Sequence, residues 1–122
     1  MRTTVDGHEL DLQSWIRFFD RLERRNGVWR IVKRTAVYEK DRLDPVDPRG
    51  LPADFFADMD LSAFPPAAKF ICYVLKRSGI SPSTNIISVY TDAERALGVD
   101  NERWLAEASI SMQRERSRPT SR

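Results

Sequence analysis

The feature that most constrains this chain is an Asn26-Gly27 pair at the centre of a long stretch, Leu10 to Lys40, that contains no proline and many aromatic and β-branched residues. Both central residues of a type I′ turn need positive φ, so Asn-Gly between such runs is the strongest local signal for a β-hairpin. With a two-residue turn, Arg25 faces Val28, and the pairing carried inward unbroken gives two faces. One collects Ile16/Val37, Phe18/Thr35, Asp20/Lys33, Leu22/Ile31 and Arg24/Trp29. The other collects Trp15/Tyr38, Arg17/Ala36, Phe19/Arg34, Arg21/Val32 and Glu23/Arg30. Both hold sensible partners, and a one-residue slip would mix them. Trp29, grouped with Leu22 and Ile31, is expected to be largely buried.

The second half reads as helical. Three prolines and a glycine within 44–52 (DPVDPRGLP) mark a loop between unlike halves. Pro65 and Pro66 suit a first helical turn, and Ala67, Phe70, Ile71, Val74 and Leu75 then recur at helical spacing until Gly79 stops the run. A second helix is expected over about 84–97 on Ile86, Tyr90, Ala93 and Leu97, with Gly98 as terminator. A short third helix is expected to start at Asp100 as N-cap, carry Trp104, Leu105 and Ala108, and end before Gln113.

Composition narrows the function. The chain has 122 residues, enough for one ordinary domain, and is 41% hydrophobic and 31% charged. A net charge of +2 gives no case for nucleic acid, and the longest apolar run, FICYVL at 70–75, is too short to span a membrane. No leader pattern stands at the N-terminus, so a cytoplasmic location is expected. One cysteine excludes an intrachain disulfide or a thiolate zinc cluster, and one histidine removes most His-based metal sites and triads. No phosphate-cradling glycine loop, nucleophile elbow or dinucleotide fingerprint occurs, and no cofactor or metal is expected.

Among candidate residues, Asp20 is the sharpest. On the more apolar face its carboxyl would have a raised pKa and could act as acid or base; the plainer account is an ion pair with Lys33. Trp15, Phe19, Arg34 and Tyr38 form either a pocket or partner surface or a seat for the helical segment. His8, between Gly7 and Glu9, reads as solvent-exposed, and Cys72 as a small core residue. Arg21, Arg24, Arg25 and Arg30 read as a solvated hairpin tip. The last residues, 111–122, carry four basic side chains against one acidic and read as a disordered basic tail.

The order Phe19, Asp20, Glu23, Arg24, Arg25, Gly27, Trp29, Arg30, Ile31, Tyr38, Asp41, Arg42, Asp44 and Pro45, within Trp15–Pro48, resembles the last two strands of SnoaL-like domains in the nuclear-transport-factor-2-like superfamily. It covers roughly 34 of the 122 residues. The resemblance implies an α+β fold, an antiparallel hairpin from a cone-shaped sheet, and a pocket for a small hydrophobic molecule. Members include dehydratases, isomerases and cyclases. A whole domain has a helical part and earlier strands before these two, and that part usually brings the catalytic acids, histidines and tyrosines. Only about a dozen residues precede the matching strand here. The expectation is therefore an incomplete sheet: residues 1–48 as the C-terminal strands, 49–110 as a helical extension and 111–122 as the tail. No catalytic residue carries over. The alternative is a non-catalytic interaction or scaffold module that pairs its strand edges with a partner chain or a second copy.

Overall fold

The computed structural model describes residues 1–118. Their elements run β1 (Arg2–Val5), β2 (His8–Arg25), β3 (Val28–Pro45), α1 (Lys69–Arg77), β4 (Ile87–Ser88) and α2 (Asp92–Arg116), with 3-10 turns at Leu61–Ala63 and Pro66–Ala68. The class is α+β. One four-stranded sheet in the order β1-β2-β3-β4 is antiparallel except at β3–β4, which run parallel. Met1–Val89 form one compact unit, and a second begins at Tyr90.

The Asn26-Gly27 turn forms as the sequence predicts, with φ of 50° and 78°. Four pairs follow the expected register: Arg25↔Val28, Arg24↔Trp29, Glu23↔Arg30 and Leu22↔Ile31. Beyond them the register shifts twice. Arg21 pairs with Lys33, leaving Val32 unpaired, and Trp15 pairs with Lys40 while Ile16 pairs with Tyr38, leaving Glu39 unpaired. Each extra residue on β3 is a β-bulge, which bends its strand and moves every later partner along. Asp20 therefore faces Arg34 and not Lys33, Phe18 faces Ala36, and Arg17 faces Val37.

A second hairpin, between β1 and β2, turns at Asp6-Gly7, with φ of 49° and 79°. It obeys the same turn chemistry as Asn26-Gly27, and the Asp-Gly pair is visible in the sequence. The Met1 ammonium donates to the Leu12 carbonyl, and the Leu12 N–H donates to the Met1 carbonyl, extending this pairing by one residue.

The main core lies at the base of the hairpin. Val5, Leu10, Leu12 and Leu43 from the strands meet Tyr73 and Val74 of α1, and Leu51, Phe55, Met59, Leu61 and Phe64 pack round them. Gly79 ends α1 as predicted. At φ 78° it lets the Ile80 N–H reach the Leu75 carbonyl and its own N–H reach that of Lys76, which satisfies two terminal carbonyls.

The helix expected over 84–97 does not form as such. Ile87 and Ser88 make the short strand β4 beside Val37 and Tyr38, and the Val89 N–H donates to the Tyr38 carbonyl. In the second unit, Thr91 caps α2 by accepting from the Glu94 N–H, while the Glu94 carboxylate accepts from the Tyr90 N–H. This is a capping box in all but the identity of one donor, and Thr-x-x-Glu is its sequence signature. Gly98 does not terminate the helix. Its φ is not positive, and a glycine within a helix costs only about 1 kcal/mol. Asp100 lies inside α2 and caps nothing; Asp92–Arg95 and Asp100–Arg103 pair one turn apart along it. The helix runs on to Arg116, through the first half of the segment expected to be disordered, whose last residues, 119–122, lie outside those described.

Candidate functional site

The bulges decide which side chains meet. Arg34 donates from Nε and Nη2 to the two Asp20 oxygens, each at 2.9 Å, and its guanidinium lies 4.7 Å from the Phe18 ring centre. The Arg34 hydrogen bonds hold the Asp20 carboxyl below the usual carboxylate range, outweighing desolvation, with the Arg34 charge adding a smaller push the same way. The acid–base alternative for Asp20 requires a raised pKa, and the structure gives a lowered one; the plainer account, a cross-strand ion pair, holds with Arg34 in place of Lys33. A bidentate arginine keeps the group an anion, which opposes a role as a proton donor.

The four residues grouped as one surface are divided. Tyr38 and Arg34 face Ile16 and Asp20 across the ladder, whereas Trp15 and Phe19 face Lys40 and Thr35 and point to the other side, as alternation along β2 requires. Lys40 sits over the Trp15 ring at 4.5 Å, and Arg17 approaches Phe19 at 6.0 Å while pairing with Glu39. What β2 and β3 share along the first side is a strip of Ile16, Phe18, Leu22, Ile31 and Tyr38, with the Asp20–Arg34 pair at its middle. Phe18 is 55% exposed and Ile31 51%. Trp29, expected to be largely buried, is 64% exposed.

His8 is half-buried, its ring set edge-on to Phe55 at 5.5 Å, so it packs where exposure was expected. Cys72 is 1% exposed, and burial, with the nearby Asp41 charge, pushes its thiol up; it is the inert core residue the sequence predicts.

Asp41 has a role that the sequence alone did not reveal. Its Oδ2 accepts from the N–H groups of Phe70 and Ile71 at 2.8 and 2.9 Å, in the first turn of α1. The N-cap position, Ala68, offers no side-chain acceptor, so a carboxylate from β3 satisfies the orphan donors instead. Oδ1 is buried with no partner, and desolvation pushes the carboxyl above the usual range despite the two backbone bonds. Its partners lie about thirty positions away in sequence, beyond any local pattern.

A cleft of about 670 Å³ opens at the base of the sheet, between the end of β1, the Asp6-Gly7 turn and the end of α1. Phe55, Phe64 and Tyr73 line it, with Asp58, Asp60 and Lys76 at its margin. Lys76 lies 5.8 Å from the Phe64 ring, and Arg77 is paired with Asp6. Hydrogen bonds from Ser62 hold Asp60 below the usual carboxylate range. Among the described residues no three His, Cys, Asp or Glu side chains converge as a metal site, and no helix is long and apolar enough to cross a membrane.

No family model matches the chain. Over 75 residues it is 40% identical to pea pathogenicity protein 2 of Fusarium vanettenii, an alignment that takes in 59% of this chain and spans 30% of the length of that protein.

Proposed function

We propose that the chain supplies strands of a SnoaL-like, nuclear-transport-factor-2-like fold, and that the strip of Ile16, Phe18, Leu22, Ile31 and Tyr38 is one wall of a pocket for a small hydrophobic molecule, closed by further polypeptide. The observation that carries this reading is the exposure of Phe18, Leu22 and Ile31 on that strip, large apolar side chains left in water on either side of the Asp20–Arg34 pair, as on a binding surface. The Asp20–Arg34 pair at its centre then fixes a ligand's polar end, a task that suits a permanent ion pair better than proton transfer does. The chain by itself should bind such a ligand weakly and turn nothing over, because one hairpin walls only one side. The apolar fluorophore anilinonaphthalene sulfonate tests the wall. Its fluorescence should rise with the native chain and fall to background in Phe18→Asp and Leu22→Asp, with unchanged unfolding midpoints. Retained fluorescence in both variants would place the apolar site elsewhere. Dehydration or isomerisation of a cyclic substrate by the monomer, lost in Asp20→Asn, would make Asp20 a catalyst.

A second reading, a non-catalytic module that pairs its strand edges, is favoured by the ladder itself. β1 with Met1 reaches only Leu12 of β2, and β4 only Val37 and Tyr38 of β3, so the outer edges extend well beyond their partners. Amide exchange in residues 16–24 and 31–36 that slows as the chain is concentrated would support it; rates independent of concentration would remove it.

A further inference from the structure

The hairpin and the basal cleft differ in charge as well as in cover. Residues 16–37 carry seven basic side chains and two acidic ones. At the tip Arg24, Arg25 and Arg30 stand together with one acid, Glu23, which is paired with Arg25 and faces Arg30 across the ladder, and Val28 and Trp29 beside them are exposed. Segment 51–64 is the reverse, with Asp54, Asp58 and Asp60 and no basic residue. Asp58 and Asp60 stand at the margin of the aromatic cleft, whose two cations are engaged, Arg77 by Asp6 and Lys76 over Phe64.

A molecule cannot make this match with itself. The cleft lies at the Asp6-Gly7 end of the sheet, and the tip at the far end of β2. At about 3.3 Å per residue, the length of β2 sets the two on the order of 50 Å apart.

We infer that the hairpin tip of one copy docks in the basal cleft of a second copy, Trp29 against the aromatic lining and Arg24 and Arg30 beside Asp58 and Asp60. Opposite charges at the rim of an apolar contact set register and speed encounter. A tryptophan flanked by arginines is the residue set that most often dominates such contacts. The contact is heterologous, tip to cleft, so a pair of copies still has one free tip and one free cleft. Assembly then runs on into chains or closes into a ring and does not stop at an isologous pair. It leaves the apolar strip at residues 16–22 and 31–38 unused and is independent of the pocket proposed for it.

Sedimentation velocity of the full chain over a wide concentration range tests this. The native chain should form species larger than a dimer at high concentration, and added salt should reduce them. Arg24→Glu with Arg30→Glu should be monomeric. So should Asp58→Arg with Asp60→Asn, which keeps an oxygen to accept from Ser62. An equimolar mixture of the two should yield a dimer and nothing larger, since it holds one intact tip facing one intact cleft. Should either variant fail to give the native far-ultraviolet spectrum, Trp29→Ser or Asp58→Asn takes its place. Three results would each overturn the inference: a native chain that stays monomeric throughout, association lost in the tip variant but kept in the cleft variant, or a mixture that stays monomeric.

Discussion

The two ends of one hairpin obey the same alternation and meet opposite fates. At the base, Leu10 of β2 is fully buried beneath α1 and the loop aromatics. Near the tip, Leu22 occupies an equivalent place on the same face and is 47% exposed. The strand period decides which side chains share a face, but a second layer decides whether that face is a core. Within the first unit the core that α1 and the segment before it build lies at the base, and Phe18, Leu22, Trp29 and Ile31 of the outer hairpin stand exposed. A two-stranded ribbon is marginal by itself and depends on what it packs against.

The sharpest way to break this comparison is one deletion at each end. Leu10→Ala should cost about 2–5 kcal/mol, the range for emptying a fully packed site. Trp29→Ala should change stability by no more than about 0.5 kcal/mol in the dilute chain, as expected for an exposed side chain. Urea unfolding of both variants checks this, and an equal loss would mean that the tip is covered after all. The two turns offer a second contrast. Gly7→Val and Gly27→Val each force a β-branched residue to positive φ, at roughly 1 kcal/mol or more. The first should lower the global midpoint, because Val5 and Leu10 beside that turn belong to the core. The second should mainly speed amide exchange in the outer strands.

Asp41→Ala should cost about 1 kcal/mol through loss of the cap on α1. Asp41→Asn keeps one accepting oxygen and separates the charge from the cap. Because burial raises the native carboxyl, the folded chain holds this proton more tightly than the unfolded chain does. Its contribution to stability is therefore largest in acid and falls as pH rises through the raised pKa. The urea midpoint should lose that component of its pH dependence in the asparagine variant. The smallest effect is expected at the tip-ward ion pair. Asp20 is held low, so its contribution is present above the unfolded pKa and lost as pH falls through the folded one, but exposure and solvent screening leave it slight. Asp20→Asn should leave the midpoint at pH 7 within measurement scatter.

How far the sequence reached follows from the range of each interaction. Asn26-Gly27 and the four pairs next to it were legible because a turn fixes its own neighbours. The register failed at Val32 and Glu39 because a bulge inserts one residue and carries no marker; from there Asp20 acquired Arg34 in place of Lys33. Trp29 differs from expectation for another reason: periodicity groups a face without saying what covers it. Asp6-Gly7 and Thr91-x-x-Glu94 are local signals of the same kind, and each forms the turn or cap that its residues encode. Asp41, whose partners are distant in sequence, left no local trace, and the cleft at the base, assembled from β1, a loop and α1, could not be read from any one of them.

Strand β4 carries a consequence for the order of events in folding. The β2–β3 ladder closes from a two-residue turn, so its pairs form with little loop-closure entropy to overcome. Ile87 and Ser88 reach Val37 and Tyr38 only after residues 46–86 have been laid across the sheet, and they gain just two ladder positions when they arrive. The parallel edge should therefore be the last part of the first unit to assemble and the first to detach. Each detachment would bare the β3 backbone at Val37 and Tyr38, where the loop and the uncovered ribbon meet, and give that edge a lifetime in the open state separate from the global one.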